Sequence, residues 1–171
     1  MSFLKNIFGK KSNDAAVVNQ PAPSFTLPDE NGNMISLSDF KGKRDVLVFF
    51  IRGDFCPVCQ MMLRTFQKER EKFIQKNITM ISIGPGPAEI NLDIVKKFGL
   101  DYKLLCDAQQ EVMEKYGCRD PADKRAYPEG MPIPGTFLID KKGLLRYYSR
   151  ADKAEEVFNP STIVDALESL N

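Results

Sequence analysis

The chain has 171 residues, 43% of them apolar and 27% charged, with 24 basic side chains against 23 acidic ones. That suits one compact domain able to bury a core without staples, and it provides no global field to recruit nucleic acid. No uninterrupted apolar run approaches the roughly 18 residues of a membrane-spanning helix. The chain also contains no histidine, which excludes a Ser-His-Asp or Cys-His machine, an imidazole proton shuttle and every His-containing metal site.

Residues 1–20 read as an arm. Phe3, Leu4, Ile7 and Phe8 share one helical side, with Lys5, Lys10 and Lys11 nearby. The pattern over residues 3–11 suits a membrane surface or a partner, but so short a stretch favours a frayed terminus. Its basic residues follow the apolar ones, so it does not read as a secretory signal. Residues 12–20 are small and polar, a linker, and the folded domain is expected from Pro21 to residue 171. Residues 25–27 and 34–37 flank Asp29-Glu30-Asn31-Gly32 as a hairpin, followed by one helical turn over 38–40. Residues 46–51 are an unbroken apolar run, the pattern of a central strand covered on both faces.

From Pro57 to about Lys76, Met62, Leu63, Phe66 and Phe73 recur at helical spacing. A strand follows over 78–83, then the turn Gly84-Pro85-Gly86-Pro87, which lacks the Lys-Ser/Thr of a phosphate loop. Next come a helix over 88–98 closed by Gly99, a strand over 102–106 and a short helix over 109–116. Residues 118–134 form a long polar, proline-rich stretch. Residues 136–139 and 144–149 pair as a hairpin. A last helix starts at Asn159 and Pro160 and presents Ile163, Val164, Leu167 and Leu170 to the core. This order implies an α/β domain: a mixed sheet with a parallel centre, antiparallel edge strands and helices on both faces.

Four cysteines are too few for a secreted disulfide scaffold, so the expected setting is cytoplasmic and reducing, where a Cys pair suggests catalysis or metal. Arg52-Gly53-Asp54-Phe55-Cys56-Pro57-Val58-Cys59 lies where the central strand hands over to the long helix, the end of an α/β sheet at which reactive groups collect. With Pro57 at the first helical position, Cys56 caps the helix and Cys59 lies in its first turn. Both sulfurs then meet free amides and the positive end of the helix dipole, with Arg52 as a further positive charge. Their spacing also permits a disulfide. Zinc is the alternative, giving a non-catalytic metal or interaction module. It would need two more ligands, and Cys106 and Cys118 do not form a second C-x-x-C. Those two cysteines read as packed side chains, and Asp54 and Asp107 as turn or cap residues.

The stretch from Val48 to Cys59 resembles the active-site segment of thioredoxin-like proteins, and more closely that of the peroxiredoxin-like branch of the alkyl hydroperoxide reductase and thiol-specific antioxidant (AhpC/TSA) family. Ala22-Pro23-Ser24-Phe25-Thr26-Leu27, Leu104-Leu105-Cys106-Asp107 and Pro134-Gly135-Thr136-Phe137-Leu138-Ile139-Asp140 extend the resemblance over residues 21–170. It implies a three-layer thioredoxin-like fold with an N-terminal β-hairpin. It also implies a cofactor-free antioxidant oxidoreductase that reduces peroxides or disulfides through a redox-active disulfide, reset by a thioredoxin-like protein dithiol or by glutathione.

In the peroxiredoxin register Cys59 is the peroxide-attacking cysteine, Arg52 replaces a proline, Cys56 replaces a threonine, and the late arginine is absent. In the thioredoxin register Cys56 attacks and Cys59 resolves, while Phe50 stands where thioredoxins keep a buried acid. Capping geometry, with Cys56 the more exposed, favours Cys56 as nucleophile. The missing threonine and arginine favour disulfide exchange over fast peroxide turnover; the family favours peroxide. The resemblance further implies a cis peptide at Ile133-Pro134 beside the cysteines, leaving the Ile133 backbone free to pair with a bound chain. Ile133, Pro134 and Gly135, with Phe55 and Pro57, are thus the expected substrate contacts. Residues 118–132, carrying Lys124, Arg125 and Tyr127, are expected to arch over the site.

Overall fold

A computed structural model of the chain describes residues 16–150 and 159–169. The arm pattern at Phe3, Leu4, Ile7 and Phe8 lies outside the described residues, as do Leu170 and the side chain of Leu167. The architecture grows around β3 (Asp45–Phe50), whose residues from Val46 onward are buried, the outcome expected of an uninterrupted run of β-formers. It pairs in parallel with β4 (Ile78–Gly84), which pairs in parallel with β5 (Lys103–Cys106). On its other side β3 pairs antiparallel with β8 (Gly135–Ile139), and β8 with β9 (Leu145–Arg150). The result is a mixed five-stranded sheet in the order β5-β4-β3-β8-β9. Ahead of it, β1 (Thr26–Pro28) and β2 (Met34–Ser36) form the hairpin, and Leu37–Phe40 a 3-10 turn.

Strand alternation sorts the core into two layers. Leu47, Phe49 and Ile51 face α1 (Pro57–Gln75), α2 (Ala88–Phe98) and α4 (Pro160–Glu168) through Met62, Leu63, Phe66, Ile94 and Ile163. Val46, Val48 and Phe50 face α3 (Glu111–Lys115), the hairpin and the 3-10 turn through Val112, Met113, Phe25 and Leu37. Helix ends follow local chemistry. Pro57 begins α1, Gly99 ends α2 in the left-handed region at φ 59°, and Asn159 Oδ1 accepts from the Ser161 amide at 3.1 Å.

The hairpin is fastened to the sheet by buried charge. Asp29 is fully buried; its Oδ1 accepts from the amides of Asn31 and Asn33, each at 2.9 Å, and Lys103 Nζ meets Oδ2 at 2.8 Å. Glu30 Oε2 accepts from the Leu104 amide at 3.1 Å.

Three expectations are corrected. Residues 16–20 are not a free linker. Ala16 is buried, the Asn19 amide donates to the Leu145 carbonyl at 2.7 Å, and the Leu145 amide returns a bond to Gln20 at 2.9 Å; the exposed ladder edge of β9 attracts a segment whose composition alone says loop. The polar, proline-rich stretch 118–134, in which no strand was expected, contains the short antiparallel pair β6 (Arg119–Asp120) and β7 (Met131–Pro132). Finally, no described peptide bond is cis, so Ile133–Pro134 is trans. The Ile133 amide is also already used, donating to the Cys118 carbonyl at 2.9 Å.

Candidate active site

The site forms where β3 runs out. Ile51 still bonds to Ile83 at 2.9 Å, and then the chain turns through Gly53 at φ 148°. A Cβ on Gly53 would lie 3.0 Å from the Phe55 ring, so both conformation and space call for glycine. The turn delivers Cys56 to the N-cap of α1, in extended conformation, and Cys59 to the first turn. Both are free thiols. Cys56 keeps 6% of its surface and Cys59 none, so an external reactant has access only to Cys56.

The two sulfurs are electrostatically unequal. Cys56 makes no formal capping bond. Even so, its thiol is brought down to about 6, first by the hydrogen bond from the Cys59 thiol and then, against the cost of burial, by the amides of Cys59 and Val58 and the Arg52 charge. Cys59 is pushed up by holding the shared proton and by burial. Its sulfur nevertheless accepts from the Arg52 amide at 3.2 Å, and the neighbouring Gly53 amide also favours its anion. Cys56 is thus the sulfur favoured as the anion, while Cys59 is disfavoured as one despite the amide already placed on it.

An outer layer braces this turn. Arg52 Nε donates to the Pro132 carbonyl at 2.7 Å, and the Tyr127 hydroxyl donates to the Arg52 carbonyl at 2.5 Å. The Tyr127 and Phe55 rings lie 6.4 Å apart. Gln60 Nε2 donates to the Asp54 carbonyl at 2.6 Å, and Lys97 pairs with Asp54 at 2.8 Å. Asp54 is therefore a turn residue, and Asp107 a cap that accepts from the Met113 amide at 2.9 Å.

Arg52, Phe55, Cys56, Pro57 and Cys59 share this turn. Gly135 lies across the sheet from Phe50, with Pro134 buried and Ile133 half-buried beside it. From the 118–132 stretch, Tyr127 reaches the site, whereas Arg125 is exposed and bound to Asp123 and Lys124 is exposed. Cys118 is buried in the opposite core layer, and Cys106 accepts from Asn91 Nδ2 at 3.3 Å. Among the described residues no three His, Cys, Asp or Glu side chains gather as a metal site, so those residues give the zinc alternative no ligand set at the pair. None of the described helices is long and apolar enough to cross a membrane. Sequence reasoning missed Pro132 and Lys97; an isolated tyrosine in a polar, proline-rich stretch was the one signal for Tyr127.

A mixed sheet between two helical layers, with a cysteine pair at a strand-to-helix turn, defines a thioredoxin-like protein. Solved structures agree on the fold. Peroxidoxin BcpB from Mycobacterium tuberculosis superposes with a TM-score of 0.79 at 21% identity, over 91% of this chain and 99% of that one. The mitochondrial 2-Cys peroxiredoxin of Plasmodium falciparum gives 0.74 at 21% identity, over 90% and 94%. The AhpC/TSA family profile matches residues 18–148, and the chain belongs to that family. Among curated relatives, the chloroplastic peroxiredoxin Q of Oryza sativa subsp. japonica is 34% identical over 143 residues, 82% of this chain. A peroxiredoxin of Aquifex aeolicus is 30% identical over 158 residues, 88% of this chain and 69% of its own length. The chain spans 60% of the length of the rice relative.

Proposed function

We propose that this chain is a peroxiredoxin-like thiol oxidoreductase whose Cys56–Cys59 pair cycles between dithiol and disulfide. The observation that carries the reading is the asymmetry of the pair, a partly accessible sulfur at the start of α1 beside a fully buried one in its first turn, with the second favouring the anion of the first. The Cys56 thiolate attacks a peroxide oxygen, breaking the O–O bond; the sulfur becomes a sulfenic acid and the alkoxide or hydroxide leaves with the electron pair. Cys59 then attacks that sulfur, a disulfide forms and water departs. An external dithiol protein or glutathione restores both thiols by exchange. The names of the curated relatives support peroxide as oxidant. A protein disulfide is the second reading. It is favoured by Cys56 standing where the family has a threonine, and by Phe55 and Met61, exposed at 58% and 52%, near the pair.

The test is a trap combined with a thiol count. One equivalent of peroxide is expected to remove two thiols from the reduced protein. Cys59→Ser should accumulate a mixed disulfide at Cys56. If only Cys56→Ser traps a partner, the roles are reversed; if no thiols are lost, the cycle is wrong. Rates with hydrogen peroxide and with a protein disulfide, measured side by side, decide the oxidant.

A further inference from the structure

We propose that the Tyr127 hydroxyl positions a backbone cradle that receives the Cys59 thiolate when the Cys56–Cys59 disulfide is opened, a role that rests on the dithiol–disulfide cycle proposed above. Of the two, Cys56 alone keeps any surface, so a reducing thiolate attacks the Cys56 sulfur. The new S–S bond forms there, the Cys56–Cys59 bond breaks, and Cys59 leaves with the electron pair. Exchange is faster when the leaving sulfur is stabilised as an anion. Cys59 has no contact with solvent, so its charge must be met by protein donors at the moment it appears.

Two amides face it. The Arg52 N–H reaches Cys59 Sγ at 3.2 Å, and the next amide, that of Gly53, adds a smaller favourable contribution to a charge on the same sulfur. The Gly53 N–H belongs to the same peptide group as the Arg52 carbonyl, and that carbonyl accepts the Tyr127 hydroxyl at 2.5 Å. The hydroxyl therefore holds by its carbonyl the same residue whose N–H bonds the sulfur, and as a donor on the peptide oxygen it also polarises the Gly53 N–H. The Arg52 Nε bond to the Pro132 carbonyl at 2.7 Å fixes the same residue from its other end. Tyr127 touches neither sulfur by this route; it is a positioning residue, contributed by a segment 75 residues further along the chain.

The experiment uses Tyr127→Phe, which retains the ring beside Phe55 and removes only the donor. The full chain is oxidised to the Cys56–Cys59 disulfide, and its reduction by dithiothreitol is timed at neutral pH. Iodoacetamide labelling of Cys56 is timed in the reduced protein. Losing one hydrogen bond of ordinary net strength is expected to slow reduction about three- to ten-fold, with the labelling rate unchanged. A purely packing role predicts a looser turn, with reduction and labelling both faster, and that result overturns the proposal. So does reduction at the wild-type rate, or slowing of reduction and labelling together. Site-specific 3-fluorotyrosine at position 127, a stronger donor, is expected to speed reduction; no change or slower reduction counts against the cradle even if Tyr127→Phe folds poorly. If the wild-type protein never forms the disulfide, the underlying cycle fails instead, which separates the two conclusions.

Discussion

Two turns of this molecule solve the same problem, an anion held away from water, with opposite consequences. At the hairpin turn, burial opposes ionisation of Asp29, but Lys103 and the amides of Asn33 and Asn31 outweigh it and hold the carboxyl down at about 2. At the cysteine turn, amides and Arg52 again assist the anion, but the largest contribution comes from a second thiol. A carboxylate matched by an ammonium group has nothing further to do and serves as a rivet between the hairpin and β5 (Lys103–Cys106). A thiolate matched by a thiol can exchange its proton or join its partner covalently. Buried charge on backbone donors is therefore structural or reactive according to what stands opposite it.

Three substitutions break or sharpen this contrast. The largest effect is expected from Cys56→Ser, which removes the accessible thiolate and should reduce peroxide and disulfide turnover to the uncatalysed level, while urea unfolding is little altered. A turnover assay beside a denaturation curve checks both halves.

Lys103→Met should do the reverse. It leaves Asp29 buried without its counter-ion and is expected to cost about 1–3 kcal/mol, discounted because the lysine itself is 45% exposed. Labelling of Cys56 should be unchanged. The sign of the pH dependence follows from the lowered folded value of Asp29. Its stabilisation is complete above the ordinary carboxylate value of about 4 and is lost as pH falls through about 2. Unfolding curves from pH 5 to pH 2 should show a steep acid loss in the wild type and a shallower one in Lys103→Met.

The smallest effect is expected at Arg52. Alkylation of Cys56 should have its midpoint near pH 6 in the wild type. Arg52→Met should move it upward only modestly, since the guanidinium ranks behind the Cys59 thiol and the Cys59 amide. An unmoved midpoint would assign Arg52 to bracing the turn through Pro132 alone.

The strand-to-helix junction was legible because every signal for it is local. An apolar run ends, glycine turns the chain, proline opens a helix, and two cysteines fall three positions apart inside that turn. The AhpC/TSA resemblance drew on the same short segments. The inequality of the sulfurs was half visible, since capping geometry made Cys56 the more exposed, but its main cause is the hydrogen bond between the pair. The trans Ile133–Pro134 bond and the occupied Ile133 amide went the other way. A family expectation of a free backbone edge gave way to Cys118, fifteen positions earlier in the chain, which takes the donor that a guest strand would need.

Periodicity and turn chemistry along the chain by themselves determined the order of strands and helices, the two-sided burial of the central strand and the location of the cysteine pair, because those features depend on neighbours within a few bonds. Only the tertiary structure decided that Tyr127 braces Arg52, that Lys103 neutralises Asp29 and that Cys59 loses all contact with water. Each depends on groups far apart in the chain, and no local propensity encodes which distant neighbour will arrive once the sheet has closed.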